Sequence, residues 1–339
     1  MQETHSKEVT IRVTEKELIP HLTLIEAMYK PDVLDDKDYG LVLDILTLAN
    51  KCDVALVFKK CKYVLMDMPL SLEICESILA TVNEMLNTED LLSFLEKFLV
   101  NEFKPLDKTW RMDKFTNLSE AATRLIISSD HLAILSENTV FVALMHWLEE
   151  NYSTSSSLLS LVRSELMTAD FLYDVVQHHY LATQMSGFNQ LLLNGFSYHS
   201  FSAGRKNKLE IKPVSRAEYN NKNQPTFTWL IDGDTRKRAA SKVYSEHFWW
   251  CGYEMRLSLF LESNLCNIFI YVLFPSRPPS GYLEMSGKIV SSLFIRLLNL
   301  KGAFTGVGRG CNSITCKRSV QNVQEHETDT IKVYINLEP

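Results

Sequence analysis

From Thr88 onward the spacing of apolar residues changes once, near Pro225, and that change limits the folds open to the chain. From Thr88 to about Gly195, apolar residues recur at three- and four-residue intervals, the pattern of amphipathic helices. Leu91, Leu92, Phe94, Leu95, Phe98 and Leu99 form one such stretch, and Val140, Leu144, Trp147 and Leu148 mark the buried face of another. After Pro225 the interval becomes two. FTWLID (Phe227 to Asp232) and MRLSLFLE (Met255 to Glu262) alternate, with Phe227 and Trp229 on one inward face. NIFIYVLF, LFIRLLNL, GAFTGVGRG and DTIKVYINLE follow, separated by turn signals such as Pro275 to Gly281. Many short strands in series point to an antiparallel β-sandwich. The fold class is therefore α+β, multidomain, with helices first and strands last.

The first third reads as a strand followed by helices. Val9 to Val13, VTIRV, is β-branched and alternating, which predicts a strand. A helix follows with Leu18, Leu22, Ile25, Ala27 and Met28 as its apolar positions, interrupted early by Pro20. The stretch Tyr39 to Leu65 predicts two short, buried helices joined at Asn50-Lys51-Cys52-Asp53, with Asp53 capping the second. Pro69 ends that helix and Ser71 caps the next, which holds Leu72, Ile74, Cys75, Ile78 and Leu79. Ser119 opens a further helix, and Ser136, with Glu137 in the first turn, opens another.

At 339 residues the chain has room for two or three domains. A net charge of -6 argues against a nucleic-acid surface spread over the whole chain. The basic runs Arg205-Lys206-Asn207-Lys208 and Arg236-Lys237-Arg238 read as solvated loops. The 7 cysteines are scattered and form no CxxC, which reads as free thiols in a reducing compartment, nucleus or cytoplasm. No signal peptide opens the sequence, and no apolar run is long enough to span a membrane.

No catalytic constellation, cofactor site or metal site stands out, so the chain reads as a non-enzyme. Cys311, Cys316 and His326 match no common zinc spacing. Gly306, Gly308 and Gly310 lack the helix and Lys-Ser/Thr of a phosphate loop and read as a hairpin. His178 and His179 are adjacent, so they point to different faces of a helix. The aromatic group Phe248, Trp249, Trp250 and Tyr253 has two readings. Core or inter-domain packing is the ordinary one; the other makes Trp249, Trp250 and Tyr253 an anchor for a target protein.

Several motifs resemble one family. The pattern of Tyr39 to Leu65 is similar to the end of a BTB/POZ domain, and SSDxLxxxSExxVFxAxxxWL (Ser128 to Leu148) closely resembles the BACK signature. Arg163 to Thr168, with Leu172, Val175 and Val176, is similar to the next BACK helix. YSEHFWWCGY and KGAFTGVGRG resemble the C-terminal region of plant light-response BTB-BACK proteins, and more loosely a MATH/TRAF-like sandwich. This resemblance implies residues 1–69 as the C-terminal half of a BTB domain and 70–197 as a 3-box and BACK helical domain. It makes 198–224 a linker and 225–339 a MATH-like sandwich. It further implies that the first half of the BTB domain is missing, lost in the gene model or in evolution.

The family's members are substrate adaptors of cullin-3 ubiquitin ligases, non-catalytic proteins that hold cullin-3 at one end and a protein substrate at the other. Carried over by motif, Met1 and Glu3 of an apolar-x-Glu triplet, with Leu70, Leu72 and Ile74, would face cullin-3. Homodimerisation, or pairing with another BTB protein, is put in doubt by the missing half. The alternative is an interaction protein that binds targets or BTB partners without recruiting the cullin. A third class, an enzyme or sugar-binding protein built on the sandwich, needs a pocket with convergent acids, which the strands do not supply.

Overall fold

The structure is a computed structural model. It describes residues 12–83, 85–151, 156–208, 213–217, 227–232, 243–262, 265–273, 282–291, 294–305, 312–319 and 330–338. The chain divides into two compact units, Met1–Leu99 with Leu118–Leu125, and Val100–Asn117 with Ile126–Pro339.

The first unit is helical. Helix α1 (Glu15–Tyr29) opens on Thr14, whose backbone N–H and hydroxyl both donate to the Glu17 carboxylate, at 2.9 and 2.7 Å. It runs unbroken through Pro20, where an interruption was expected. The proline removes one bond, to the Lys16 carbonyl, and its ring is buried beside Thr23, Leu24 and Ala27 on the packed face. The expected apolar face is the wrong one. Leu18, Leu22, Ile25 and Met28 are exposed, with Ile19 and Tyr29 beside them, and of the expected positions only Ala27 is buried. The expected strand Val9–Val13 lies mostly outside the described residues; Arg12 and Val13 are in no regular structure.

Helices α2 (Tyr39–Lys51) and α3 (Ala55–Asp67) are the expected pair. Each keeps a solvent face, with Leu56 and Tyr63 exposed, where near-complete burial was expected. Asp53 does not cap α3. It sits at φ 56°, the left-handed residue that closes α2, with Asp53 N–H bonded to Asn50 O and Val54 N–H to Ala49 O. That pair of bonds is the Schellman arrangement, which satisfies the last carbonyls of α2. Asp38 caps α2 by accepting from Leu41 N–H at 3.0 Å. Lys62 of α3 is buried, and its ammonium bonds both Asp90 oxygens and the Asn87 carbonyl. Met68, extended before Pro69, ends α3, and Ser71 caps α4 (Leu72–Val82) by accepting from Ile74 N–H at 3.2 Å. Helix α5 (Glu89–Glu102) follows.

The second unit adds two single-turn helices, α6 (Leu106–Thr109) and α7 (Asp113–Thr116). The chain returns to the first unit at Leu118–Leu125, where Ser119 accepts from Ala122 N–H at the start of α8 (Glu120–Ser128). Helix α9 (Glu137–Glu150), capped by Ser136, is the hub of the second unit and is buried on nearly all sides. Its packing partners include α6 and α7. Short helices α10 (Ala169–Asp174), α11 (Phe188–Ser200) and α12 (Ala203–Lys208) complete the helical part.

The stretch 198–224, expected to be a linker, carries the end of α11 and all of α12. Its residues 213–217 are extended and held by backbone bonds, Ala217 N–H to Asp130 O and Ile134 N–H to Ala217 O. A polar composition concealed this, because the docking uses main chain and one arginine in place of apolar side chains.

The C-terminal part is antiparallel β. The strands are β1 (Phe227–Asp232), β2 (Val243–Trp250), β3 (Tyr253–Glu262), β4 (Leu265–Leu273), β5 (Tyr282–Ser291), β6 (Phe294–Thr305), β7 (Asn312–Ser319) and β8 (Thr330–Glu338). They form two four-stranded sheets, ordered β1-β8-β5-β6 and β2-β3-β4-β7. Trp229 is buried on the inward face and Phe227 stacks on Phe248 with centroids 4.2 Å apart, as the alternation predicts. The β2–β3 ladder breaks register between Tyr244 and His247, and Ser245 Oγ fills the break by accepting from Leu257 N–H at 2.8 Å.

Candidate interaction surfaces

The α4 surface comes first. Its buried side is Cys75, Ile78, Leu79 and Val82, set by three- and four-residue spacing. Leu72 and Ile74, and Leu70 just before the helix, are half-buried, so each keeps part of its side chain in solvent. Met1 and Glu3 lie outside the described residues.

The aromatic group at the end of β2 is organised differently. Trp250 and Tyr253 are buried, at 5% and 3% exposure, and Trp249 is half-buried. Tyr253 meets Phe171 of α10 edge-to-face at 5.2 Å, and Trp249 meets Trp110 edge-to-face at 4.9 Å, with the Arg111 guanidinium over both indoles. These side chains join the β part to the helices of the same unit. An exposed anchor formed by all three is therefore corrected: Trp250 and Tyr253 are buried in packing, and Trp249 is half-buried against Trp110.

The start of α9 gathers polar groups that sequence reading did not bring together. Glu137, Asn138 and Thr139 are all buried in its first turn. Glu137 receives a two-bond fork from Arg216, Nε to Oε2 at 2.8 Å and Nη2 to Oε1 at 3.0 Å, with both side chains about 1% exposed. The Arg163 N–H adds a third bond to Oε1 at 2.9 Å. Asn138 Nδ2 donates to the Cys251 carbonyl at 3.1 Å, and its Oδ1 accepts from Thr168 N–H. Thr139 donates to Asp107, which also accepts from Leu135 N–H. Burial raises the Asp107 carboxyl above the ordinary range, and the two hydrogen bonds pull it back.

Three distant segments thus converge on one helical turn: Asp107, Arg216 and the Cys251-Gly252 turn. Gly252 has φ 80°, and a Cβ there would sit 2.7 Å from Asn138 Cβ. The sequence marks Glu137 only as a favourable first-turn charge, and nothing local signals its partner, since Arg216 sits in a polar stretch 79 residues on.

Chemistry is sparse elsewhere. Among the described residues no cluster of His, Cys, Asp and Glu is arranged to hold a metal ion, and no helix is long and apolar enough to cross a membrane. His178 ends a 3-10 turn and His179 follows it, packed edge-to-face on Phe141. Burial lowers the His179 imidazole below its usual range, against a weaker pull from Glu149. Cys311 and the glycines 306–310 lie outside the described residues.

The sequence comparisons fit this architecture. The BACK family (BTB And C-terminal Kelch) matches residues 77–177, which include α9 and the turn after it. Two BTB/POZ domain-containing proteins of Arabidopsis thaliana are 26% and 27% identical over 187 and 169 residues. Those matches cover 52% and 49% of this chain and 35% and 30% of the relatives. Kelch-like protein 28 of Mus musculus is 27% identical over 180 residues, 52% of this chain and 30% of its own. Residues 77–177 thus match the BACK family, and the chain is similar to BTB/POZ domain-containing and Kelch-like proteins. It spans about a third of the length of these curated relatives.

Proposed function

We propose that this chain is a BTB-BACK protein, a non-catalytic, substrate-specific adaptor of a cullin-3 ubiquitin ligase, with its cullin-facing elements in the first unit and its target-facing element in the β part. The observation that carries the reading is the BACK match over residues 77–177 in a chain whose relatives are BTB/POZ and Kelch-like proteins. In this reading residues 1–69 are BTB-derived, the two sheets are MATH-like, and Met1, Glu3, Leu70, Leu72 and Ile74 meet the cullin. An adaptor acts by proximity: holding a target near a charged ubiquitin carrier raises its effective concentration without a chemical group of its own. The half-buried state of Leu72 and Ile74 supports the α4 part of this surface. Residence in the nucleus or cytoplasm belongs to the proposal, supported by the unpaired cysteines Cys52, Cys61, Cys75 and Cys251.

A pull-down tests it. N-terminally tagged chain should retain cullin-3, and Leu72→Asp with Ile74→Asp should reduce recovery at least about tenfold, as charges at a packed contact do. Glu3→Ala forms a separate arm for the N-terminal triplet. Failure of the parent chain to retain cullin-3 would sink the adaptor reading.

A second reading has its own observation. The exposed apolar face of α1, Leu18, Ile19, Leu22, Ile25, Met28 and Tyr29, is large for an isolated surface. It favours an interaction protein that pairs with a BTB partner without recruiting the cullin. Retention of a BTB protein but not of cullin-3 in the same pull-down would select this reading.

A further inference from the structure

The stretch Pro213–Ala217 lies in the second unit as a peptide lies in a receptor. Its main chain is held from both sides. Ala217 bonds the 130–134 segment through both its N–H and its carbonyl, at 2.9 and 3.2 Å, and Arg163 Nη1 donates to the Val214 carbonyl at 2.7 Å. These bonds do not depend on which side chains the stretch carries. Val214, Ser215 and Ala217 are exposed. One side chain, Arg216, turns inward and supplies the chemical recognition.

Its site is complete. The guanidinium gives two bonds to Glu137 and further ones to the carbonyls of Ser129, at 2.7 Å, and Leu161, at 3.3 Å. The receptor side of these contacts comes from Ser129, Asp130 and Ile134, from Glu137, and from Leu161 and Arg163. Edge pairing for affinity plus one pocketed side chain for specificity is the anatomy of extended-peptide recognition. A planar fork on a buried carboxylate, with carbonyls taking two of the remaining three N–H groups, fits arginine and not lysine.

We propose that this groove is a docking site for a short, extended, arginine-bearing segment of a partner protein, and that Pro213–Ala217 fills it in cis. The tether gives the internal segment an effective concentration on the order of millimolar. An outside peptide therefore competes poorly with the intact chain, and well once the internal arginine is removed. The inference does not depend on cullin binding.

The test uses fluorescein-labelled Pro-Val-Ser-Arg-Ala and the full chain, read by anisotropy. The Arg216→Ala chain should bind it at least about tenfold more tightly than the parent chain, the margin set by cis competition. A peptide with Ala in place of Arg should bind Arg216→Ala at least about 30-fold more weakly, as loss of a pocketed anchor does. Equal affinity of the two peptides, or no gain over the parent chain, overturns the proposal. Arg216→Lys, which keeps the charge and loses the fork, carries the same comparison if Arg216→Ala does not fold. If neither variant folds alone, the arginine peptide present during refolding must restore the native far-UV circular dichroism, and failure to do so overturns the proposal as well.

Discussion

Helices α1 and α9 are nearly equal in length and both begin with a capping hydroxyl residue, yet their sequences map onto burial in opposite ways. α1 buries four residues and leaves its widest apolar stripe in solvent. α9 buries ten, and three of them are the polar Glu137, Asn138 and Thr139. Apolar periodicity describes a helix's own two sides. Which side is covered depends on what the rest of the chain supplies, and α9 has Arg216, Cys251 and Asp107 brought to its first turn.

Breaking the polar turn of α9 should have the largest effect. Arg216→Ala leaves Glu137 as a buried, uncompensated charge and should cost about 3–5 kcal/mol. The double variant Glu137→Met with Arg216→Met should recover most of that loss, because neither charge is then stranded. Urea unfolding of the three proteins checks both statements. Equal stability of the parent and Arg216→Ala would mean that the fork contributes nothing.

Gly252→Ala comes next. It forces a side chain into a left-handed residue and against Asn138, so a loss of at least ~1–2 kcal/mol is expected from the backbone alone. The midpoint of thermal unfolding reports it.

A smaller effect concerns pH. The half-buried His179 has its folded pKa depressed below the unfolded value, so its neutral form is the one the fold accommodates. Its contribution is present above the unfolded value, about 6.5, and is lost as pH falls through the lower folded value. His179→Gln should flatten that acid limb of the stability profile while leaving the neutral-pH shape of the curve alone. An unchanged acid limb would assign it to other groups.

The smallest effect is expected on α1. Leu22→Glu with Ile25→Lys should change stability by no more than about 0.5 kcal/mol, because both side chains are already in solvent. The same variant should reduce self-association measured by light scattering. A large loss of stability would show that the stripe is covered in solution.

The parts of the fold that depend on neighbours in sequence were legible. Ser71, Ser119 and Ser136 act as helix-start residues because a hydroxyl reaches an N–H only two or three residues away. The α2–α3 pair and the inward Trp229 follow from period alone. What was missed depends on distance or on backbone. Arg216 meets Glu137 across 79 residues, and nothing local marks that partnership. Asp53 was assigned a side-chain cap, whereas the turn uses its backbone at positive φ. The β2 aromatics alternate, with Phe248 and Trp250 buried and Trp249 between them half-buried, but alternation does not say that helices cover the second side, as Trp110 covers Trp249.

The Cys251-Gly252 turn also bears on how the protein can be taken apart and extended. Hairpin ends are the usual places to graft an epitope, open new termini or accept a domain insertion, because they face solvent. Here the β2–β3 end is pressed against the first turn of α9, with its carbonyl held by Asn138 and no room for a single added methyl group. That hairpin can be neither lengthened nor cut without separating the sheet from the helices. Its length is therefore a fixed dimension of the protein.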